Sequence, residues 1–276
     1  MRAQYGTRGP SVTATSFHDH YDMTGMKVTF LGTGSAMPTG DRFQTGLLIE
    51  SGSDRLLIDC GSGVLHALQR TEVGYEGVDT VLLTHHHLDH VSDLLALLKA
   101  RWLAGANSLA VAGPPGTSTL VDDLLDVHDY LDGRIDLAVR DLTGEPFSLA
   151  GFDGRAIETR HSKQCFAYRL THPATDATFV FSGDSTATRE LLAFAEGADV
   201  LAHDCSYPDS VETDTHATPR QLGQTLAATG VTFDRLYLTH LYPHTDGHHE
   251  EMRESIGEYY DGDIRFAADG LTVDLG

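Results

Sequence analysis

The sequence predicts an α/β fold in which two packed sheets carry helices on both outer faces. Three observations point there. Short apolar runs rich in β-branched residues recur between Gly, Ser and Asp turns. They come first as consecutive hairpins and then alternate with stretches of helical period. The same order repeats loosely in the second half of the chain.

In chain order, residues 28–31 form a strand that ends in Gly32-Thr33-Gly34-Ser35. Strands at 46–49 and 55–58 flank the turn Ser51-Gly52-Ser53-Asp54. Residues 63–70 make a short helix and 80–83 a buried strand. A helix over 91–103 places Val91, Leu94, Leu95, Leu97 and Leu98 on its apolar side. Strand 109–112 stops at Gly113-Pro114-Pro115-Gly116, and a helix covers 120–130. Strands follow at 156–159, 166–170 and 179–181, then a helix at 186–194 and a strand at 200–202. Thr218 and Pro219 are an N-cap and first-turn pair, opening a helix to about residue 229. A strand at 236–238, a helix at 250–260 and two short strands close the chain.

Residues 26–276 thus read as one domain with no internal linker. Residues 1–25 are polar and aperiodic and read as a disordered leader. The pair His18 and His20 around Asp19 lies in that leader without a strand to frame it, and is a decoy.

The 276 residues carry a net charge of −21, with only three lysines, Lys27, Lys99 and Lys163. So acidic a surface repels itself unless salt screens it, which points to a halophilic setting. It also argues against broad nonspecific affinity for nucleic acid, which needs a basic footprint. No run approaches the ~20 apolar residues of a membrane span. Cys60, Cys165 and Cys205 are too few and too scattered for a disulfide framework, so a reducing, cytoplasmic setting is expected.

The most informative stretch is Thr84-His85-His86-His87-Leu88-Asp89-His90, directly after the apolar run Val81-Leu82-Leu83. Imidazole nitrogen and carboxylate oxygen are the ligands that zinc and similar metals take. Residues two apart on extended backbone point the same way, so His85 and His87 can share a metal. Asp89 and His90 lie on the turn that follows and can face a second. Later strands end in further metal-competent residues: His161, Asp184 and His240. Together they make a two-metal set. His85, His87 and His161 hold one ion, Asp89, His90 and His240 hold the other, and Asp184 bridges. Such pairs, about 3.5–4 Å apart, serve metal-assisted hydrolysis.

His-x-His-x-Asp-His followed by a distant His, an Asp and a His resembles the metal pattern of the metallo-β-lactamase superfamily. The resemblance covers the chain from about residue 26 and implies a four-layered αβ/βα sandwich. Phe30-Leu31-Gly32-Thr33-Gly34-Ser35 with Pro38, and the Gly-Pro-Pro-Gly run, resemble the ribonuclease Z branch. That branch implies two zinc ions, with manganese or iron as alternatives, and hydrolysis of a phosphodiester by metal-bound hydroxide. It implies that Asp89 helps position the nucleophile and that Asp59 supports a metal-bound His from behind. His203-Asp204-Cys205-Ser206 and His216-Ala217-Thr218 match two further family segments. By that match Asp204 orients His216, His216 protonates the leaving oxygen, and His203 is a supporting residue. The partners so implied are a phosphodiester substrate, tRNA or another RNA among them, and a second copy of the chain in a homodimer. No membrane partner is expected.

The departures are specific. The family's Pro-x-Lys-x-Arg-Asn motif stands here as Pro38-Thr39-Gly40-Asp41-Arg42-Phe43, keeping only the Pro and the Arg. The family's long basic tRNA-gripping arm has no room between His161 and Asp184. Ala217 replaces the family's Ser. A small or cyclic diester is therefore an open alternative to an RNA 3′ end. A hydrolase of a carbon ester, thioester, lactone or lactam is the second enzymatic reading; Asp184 speaks against the β-lactamases that place Cys there, and the Asp204 and His216 pair favours phosphodiesters. A flavin-linked di-iron oxidoreductase is disfavoured by His87, where that branch usually has Glu. A non-catalytic scaffold of the same fold is the third reading, disfavoured because no ligand is missing.

The halophilic reading predicts that the chain gains stability from molar salt. A denaturation series in which dilute buffer already gives full stability would count against it.

Overall fold

The structure is a computed structural model and describes residues 25–276. All but the last residue of the expected 1–25 leader, including His18 and His20, lie outside the described residues.

The chain opens with β1 (Met26–Gly32), β2 (Gly46–Ser51) and β3 (Asp54–Ile58), paired antiparallel. After α1 (Val64–Leu68) the strand β4 (Thr80–Leu82) joins β3 in parallel. The short α2 (Leu88–Val91) and longer α3 (Leu94–Leu103) lead to β5 (Ser108–Gly113), and α4 (Thr117–Val127) to β6 (Asp136–Asp141), both again parallel. The second half repeats this plan. The strands β7 (Phe147–Leu149), β8 (Phe152–Glu158), β9 (Phe166–Thr171) and β10 (Thr178–Phe181) are antiparallel. With α5 (Arg189–Phe194), α6 (Pro219–Thr229) and α7 (His249–Gly257) between them, β11 (Val200–Asp204), β12 (Arg235–Thr239) and β13 (Asp263–Phe266) extend the sheet in parallel. The last strand, β14 (Thr272–Leu275), returns to pair with β1. Among the described residues each sheet has seven strands, and the fold is the expected four-layered αβ/βα sandwich.

Side-chain alternation sorts each strand between two cores. In β2, Leu47 and Ile49 face the inter-sheet core while Leu48 packs under the helices of the first half. In β12, Tyr237 faces the inter-sheet core while Leu236 and Leu238 pack under the helices of the second. Both faces are buried, which is why these strands read as continuous apolar runs.

Three expectations change. The 91–103 helix is two helices, broken at Ser92-Asp93. Asp93 Oδ2 accepts from the Gly63 and Leu65 amides at 2.9 and 3.0 Å, so its carboxylate serves the start of α1. Helix α4 begins at Thr117 rather than 120, because Asp141 on the distant β6 accepts from the Gly116 and Ser118 amides at 3.0 and 2.8 Å. Strands β6 and β7 were not anticipated; β6 is an edge strand whose side chains are all exposed or half-buried and whose apolar run is only Leu137-Ala138-Val139.

One buried contact joins the second sheet to the loop that will matter most. Tyr168, fully buried in β9, donates its hydroxyl to the Leu83 carbonyl at 2.7 Å, and the Phe166 amide donates to the Thr84 carbonyl at 3.0 Å. Replacing Tyr168 by Phe leaves a buried carbonyl unpaired and is expected to cost about 1–3 kcal/mol. Urea denaturation checks this, and an unchanged midpoint would show that the bond is dispensable.

Candidate metal centre

The candidate residues emerge along one edge of the sandwich, at the ends of strands. Asp59 follows β3, His85 follows β4, Asp184 follows β10, Asp204 ends β11 and His240 follows β12. These are the carboxyl ends of parallel strands, where open α/β sheets collect their ligands. His161 follows β8. Asp59 and His240 have φ of 57° and 56°, left-handed backbone that bends the chain sharply as it leaves each strand. Gly183 shares that conformation, with φ +57°, and a Cβ there would lie 2.8 Å from Cys165 Sγ and 2.9 Å from the Phe166 carbonyl. Only glycine lets Asp184 follow β10 this closely.

The structure gathers the seven residues into two adjoining groups. One ligand atom from each of His85, His87, His161 and Asp184 lies within 4.8 Å of the others, and the same holds for Asp89, His90 and His240. Within the first group His87 Nδ1 is 3.0 Å from His85 Nε2 and 3.2 Å from His161 Nε2. Within the second, His240 Nε2 is 3.2 Å from Asp89 Oδ2. Asp184 stands between them. Its Oδ1 is 3.3 Å from His90 Nε2, and its Oδ2 is 3.4 Å from His240 Nε2 and 3.6 Å from His85 Nε2.

The far nitrogens of four imidazoles are held by the protein. His90 Nδ1 meets Asp59 Oδ2 at 2.7 Å, and His161 Nδ1 meets the Thr215 carbonyl at 3.1 Å. His240 Nδ1 lies 3.0 Å from Ser206 Oγ, and His85 Nδ1 lies 3.1 Å from Thr84 Oγ1. Each of these atoms can accept, so the network assigns the proton to Nδ1 and leaves Nε2 free to coordinate. Burial, followed by the charge of neighbouring imidazoles, holds His85 and His87 below the ordinary histidine range, which favours the neutral ring that metals bind. Burial opposes charge on Asp184, but His240, His90 and His85 override it and hold the carboxyl well below the usual range.

Two atoms in this cluster, His90 Nε2 and Asp184 Oδ1, are buried without a hydrogen-bond partner among the described residues. Buried polar atoms seldom stay unsatisfied. Converging imidazole nitrogens and carboxylate oxygens are the ligands that divalent cations take, so the donor set fits a metal centre.

A second carboxylate–imidazole pair flanks the cluster. Asp204 Oδ2 is 2.7 Å from His216 Nδ1 and accepts from the Ser185 amide at 3.0 Å. Asp204 Oδ1 accepts from the Ser206 amide at 3.0 Å and from its hydroxyl at 2.6 Å. Burial works against a charged His216, but Asp204 prevails and lifts its pKa to about 9. A ring nitrogen of His216 comes within 4.8 Å of ligand atoms of Asp184 and His240.

Sequence reasoning did not reach Thr84, Ser206 or the Thr215 carbonyl as orienting groups. Ser206 left a faint signal, two residues after Asp204, the spacing at which an acidic side chain caps a following amide and hydroxyl. His203 reaches the Asp204 carbonyl at 2.6 Å and, by strand alternation, lies with Leu201 on the helix side of β11. Arg42 donates to Thr33 Oγ1 at 2.6 Å and to the Ala267 carbonyl at 2.8 Å, so it fastens the loop after β1. The segment between His161 and Asp184 is occupied by the β9–β10 hairpin.

Residues 54–241 match the family model of the Beta-lactamase superfamily domain. The ribonuclease Z of Mycobacterium avium is 31% identical over 271 residues, spanning 88% of this chain and 96% of that one. The ribonuclease Z of Halorubrum lacusprofundi is 26% identical over 305 residues, spanning 91% and 97%. The metallo-β-lactamase fold protein YhfI from Bacillus subtilis superposes with a TM-score of 0.77 at 26% identity, over 91% of this chain and 99% of that one. The short form of human tRNase Z superposes with a TM-score of 0.73 at 19% identity, over 91% and 99%, a likeness of fold. With its sandwich, its donor cluster and these relatives, the chain belongs to the metallo-β-lactamase superfamily and, within it, to the ribonuclease Z family.

Proposed function

We propose that this protein is a metal-dependent phosphodiesterase of ribonuclease Z type, acting on an RNA 3′ end or on a smaller or cyclic diester. The observation that carries the reading is the Asp204–His216 pair, held at 2.7 Å beside a donor set for two divalent cations. A thioester or strained lactam needs less leaving-group protonation, whereas an alkoxide leaving a phosphodiester needs a proton.

His85, His87 and His161 would hold one cation, Asp89, His90 and His240 the other, and Asp184 would contact both. Zinc is the expected metal, with manganese or iron as alternatives. Such cations generate a nucleophile from water at neutral pH and neutralise charge on phosphoryl oxygens. Asp89, 3.2 Å from His240 Nε2, would help position the attacking water. His216 gives its Nδ1 proton to the bond with Asp204, which fixes the ring and leaves Nε2–H for the leaving oxygen. Asp204 keeps its own orientation through Ser185 and Ser206. Asp59 acts through His90. A homodimer is expected from the family resemblance, and no helix among the described residues is long and apolar enough to cross a membrane.

His216→Ala is expected to slow cleavage of a substrate with a poor leaving group by about 10²–10⁴-fold, while a nitrophenyl diester loses far less. Equal losses on both would remove the general-acid role. Asp184→Ala is expected to lower bound metal, read by elemental analysis of purified protein together with activity. Retention of both metals and full turnover would show that Asp184 does not bridge. A tRNA precursor with a 3′ trailer, assayed beside bis-(p-nitrophenyl) phosphate, separates the two substrate classes: cleavage of the small diester alone excludes the tRNA reading.

A further inference from the structure

The mouth of the cleft carries an aromatic group that the chemistry above does not use. Tyr207 directly follows Ser206, and Tyr242 lies two residues beyond His240. Their rings are stacked, with centroids 4.6 Å apart and planes 27° from parallel. Tyr207 lies 5.9 Å from the His216 ring, and Tyr242 lies 5.8 Å from both His216 and His240. The exposed His244 ring stands 5.3 Å from Tyr207.

Packing does not account for this pair. Neither tyrosine belongs to the inter-sheet core or to either core under the helices. Ser206, His216 and His240 behind them are buried, while the two tyrosines are half-exposed. Large aromatic faces left in contact with water beside a polar site are poorly placed for stability and well placed for a flat partner. Stacking on aromatic side chains is how proteins hold unpaired bases, and it tolerates sequence because every base has a π-face. Position adds to this. The platform touches His216 and His240, so a base resting on it belongs to a nucleoside attached directly to the phosphate undergoing attack.

We propose that Tyr207 and Tyr242, with His244 at their outer edge, form a stacking platform that seats a nucleobase next to the scissile phosphate, so that the substrate is a nucleotide diester. This rests on the phosphodiesterase reading and narrows it. It also supplies a specificity element in a chain without a basic arm. The pair selects for an unpaired base, whether on an RNA end or in a small nucleotide.

The experiment compares thymidine 5′-(p-nitrophenyl phosphate) with methyl p-nitrophenyl phosphate, which share a leaving group and differ only in the nucleoside. Wild-type protein is expected to favour the nucleoside ester by about 5- to 100-fold, mainly through KM, the size of one base stack. Tyr207→Leu and Tyr242→Leu should collapse that ratio towards unity, and the Phe variants should preserve it. In parallel, the fluorescence of 2-aminopurine riboside 5′-monophosphate should be quenched on the metal-loaded wild type and not on the double Leu variant of equal metal content. A ratio near unity in wild type, a ratio that survives both Leu changes, or an unchanged quench would overturn the platform. The two readings fail separately. Hydrolysis of both esters without nucleoside preference defeats the platform alone. Tyrosine-dependent quenching without hydrolysis of either ester defeats the phosphodiesterase reading and leaves the platform standing.

Discussion

Asp59 carries a carboxylate with no exposure to solvent, and the loop that bears four of the seven donors is arranged around it. An unpaired buried carboxylate costs several kcal/mol, so its oxygens must find donors. They find the Thr84 amide at 2.7 Å, the Thr84 hydroxyl at 2.8 Å and His90 Nδ1 at 2.7 Å. That one requirement sets where the loop leaves β4, which nitrogen of His90 carries the proton, and hence which nitrogen faces the cleft. It also makes the Thr84 hydroxyl an acceptor for His85. Close packing completes the arrangement: the Cys60 amide donates to the His90 carbonyl at 2.7 Å, and a Cβ on Gly61 would sit 2.0 Å from the Asp89 carbonyl.

The second sheet answers with a carboxylate of the same kind. Asp204 is also fully buried at the end of a parallel strand, and it too is satisfied by amides, a hydroxyl and an imidazole. Burial opposes a charged ring in both, and in both carboxylates override it: Asp184 and Asp59 hold His90 well above the ordinary histidine range, and Asp204 lifts His216 to about 9. The rings differ in what they face: His90 Nε2 lies 3.3 Å from Asp184 Oδ1, whereas a ring nitrogen of His216 comes within 4.8 Å of Asp184 and His240. Ser206 joins the two functions. Its hydroxyl donates to Asp204, and its oxygen lies 3.0 Å from His240 Nδ1. The proposed proton donor and the proposed metal ligand thus share one support, and a shift of either would be felt by the other.

The acidity of the chain bears on how a substrate is held. With a net charge of −21, the protein as a whole repels a phosphodiester, so attraction must be local. Cations held by the donor cluster would supply it at the phosphate. The β9–β10 hairpin fills the segment between His161 and Asp184, and Arg42 is committed to Thr33 and Ala267. Contacts near the cleft therefore carry more of the recognition than long-range charge does.

The order of hairpins, parallel strands and covering helices was legible in the sequence because both faces of most strands are buried, which leaves continuous apolar runs between turn residues. The candidate metal ligands were legible because coordination admits few residue types and each stands just past a strand. His216 and Asp204 were reached only through a family match, since nothing in the sequence marks residues twelve apart as a hydrogen-bonded pair. The break at Asp93 and the early start of α4 escaped, because both depend on carboxylates that serve amides distant in sequence. So did Thr84, Ser206, the Thr215 carbonyl and the tyrosine pair: hydroxyls, carbonyls and aromatic rings are common, and gain a role only from what they face. By itself the sequence determined which residues could bind metal and which segments could form sheets, since composition and period act locally. The tertiary structure decided tautomer, orientation and the neighbours of His216, since hydrogen-bond direction and burial exist only once distant strands meet.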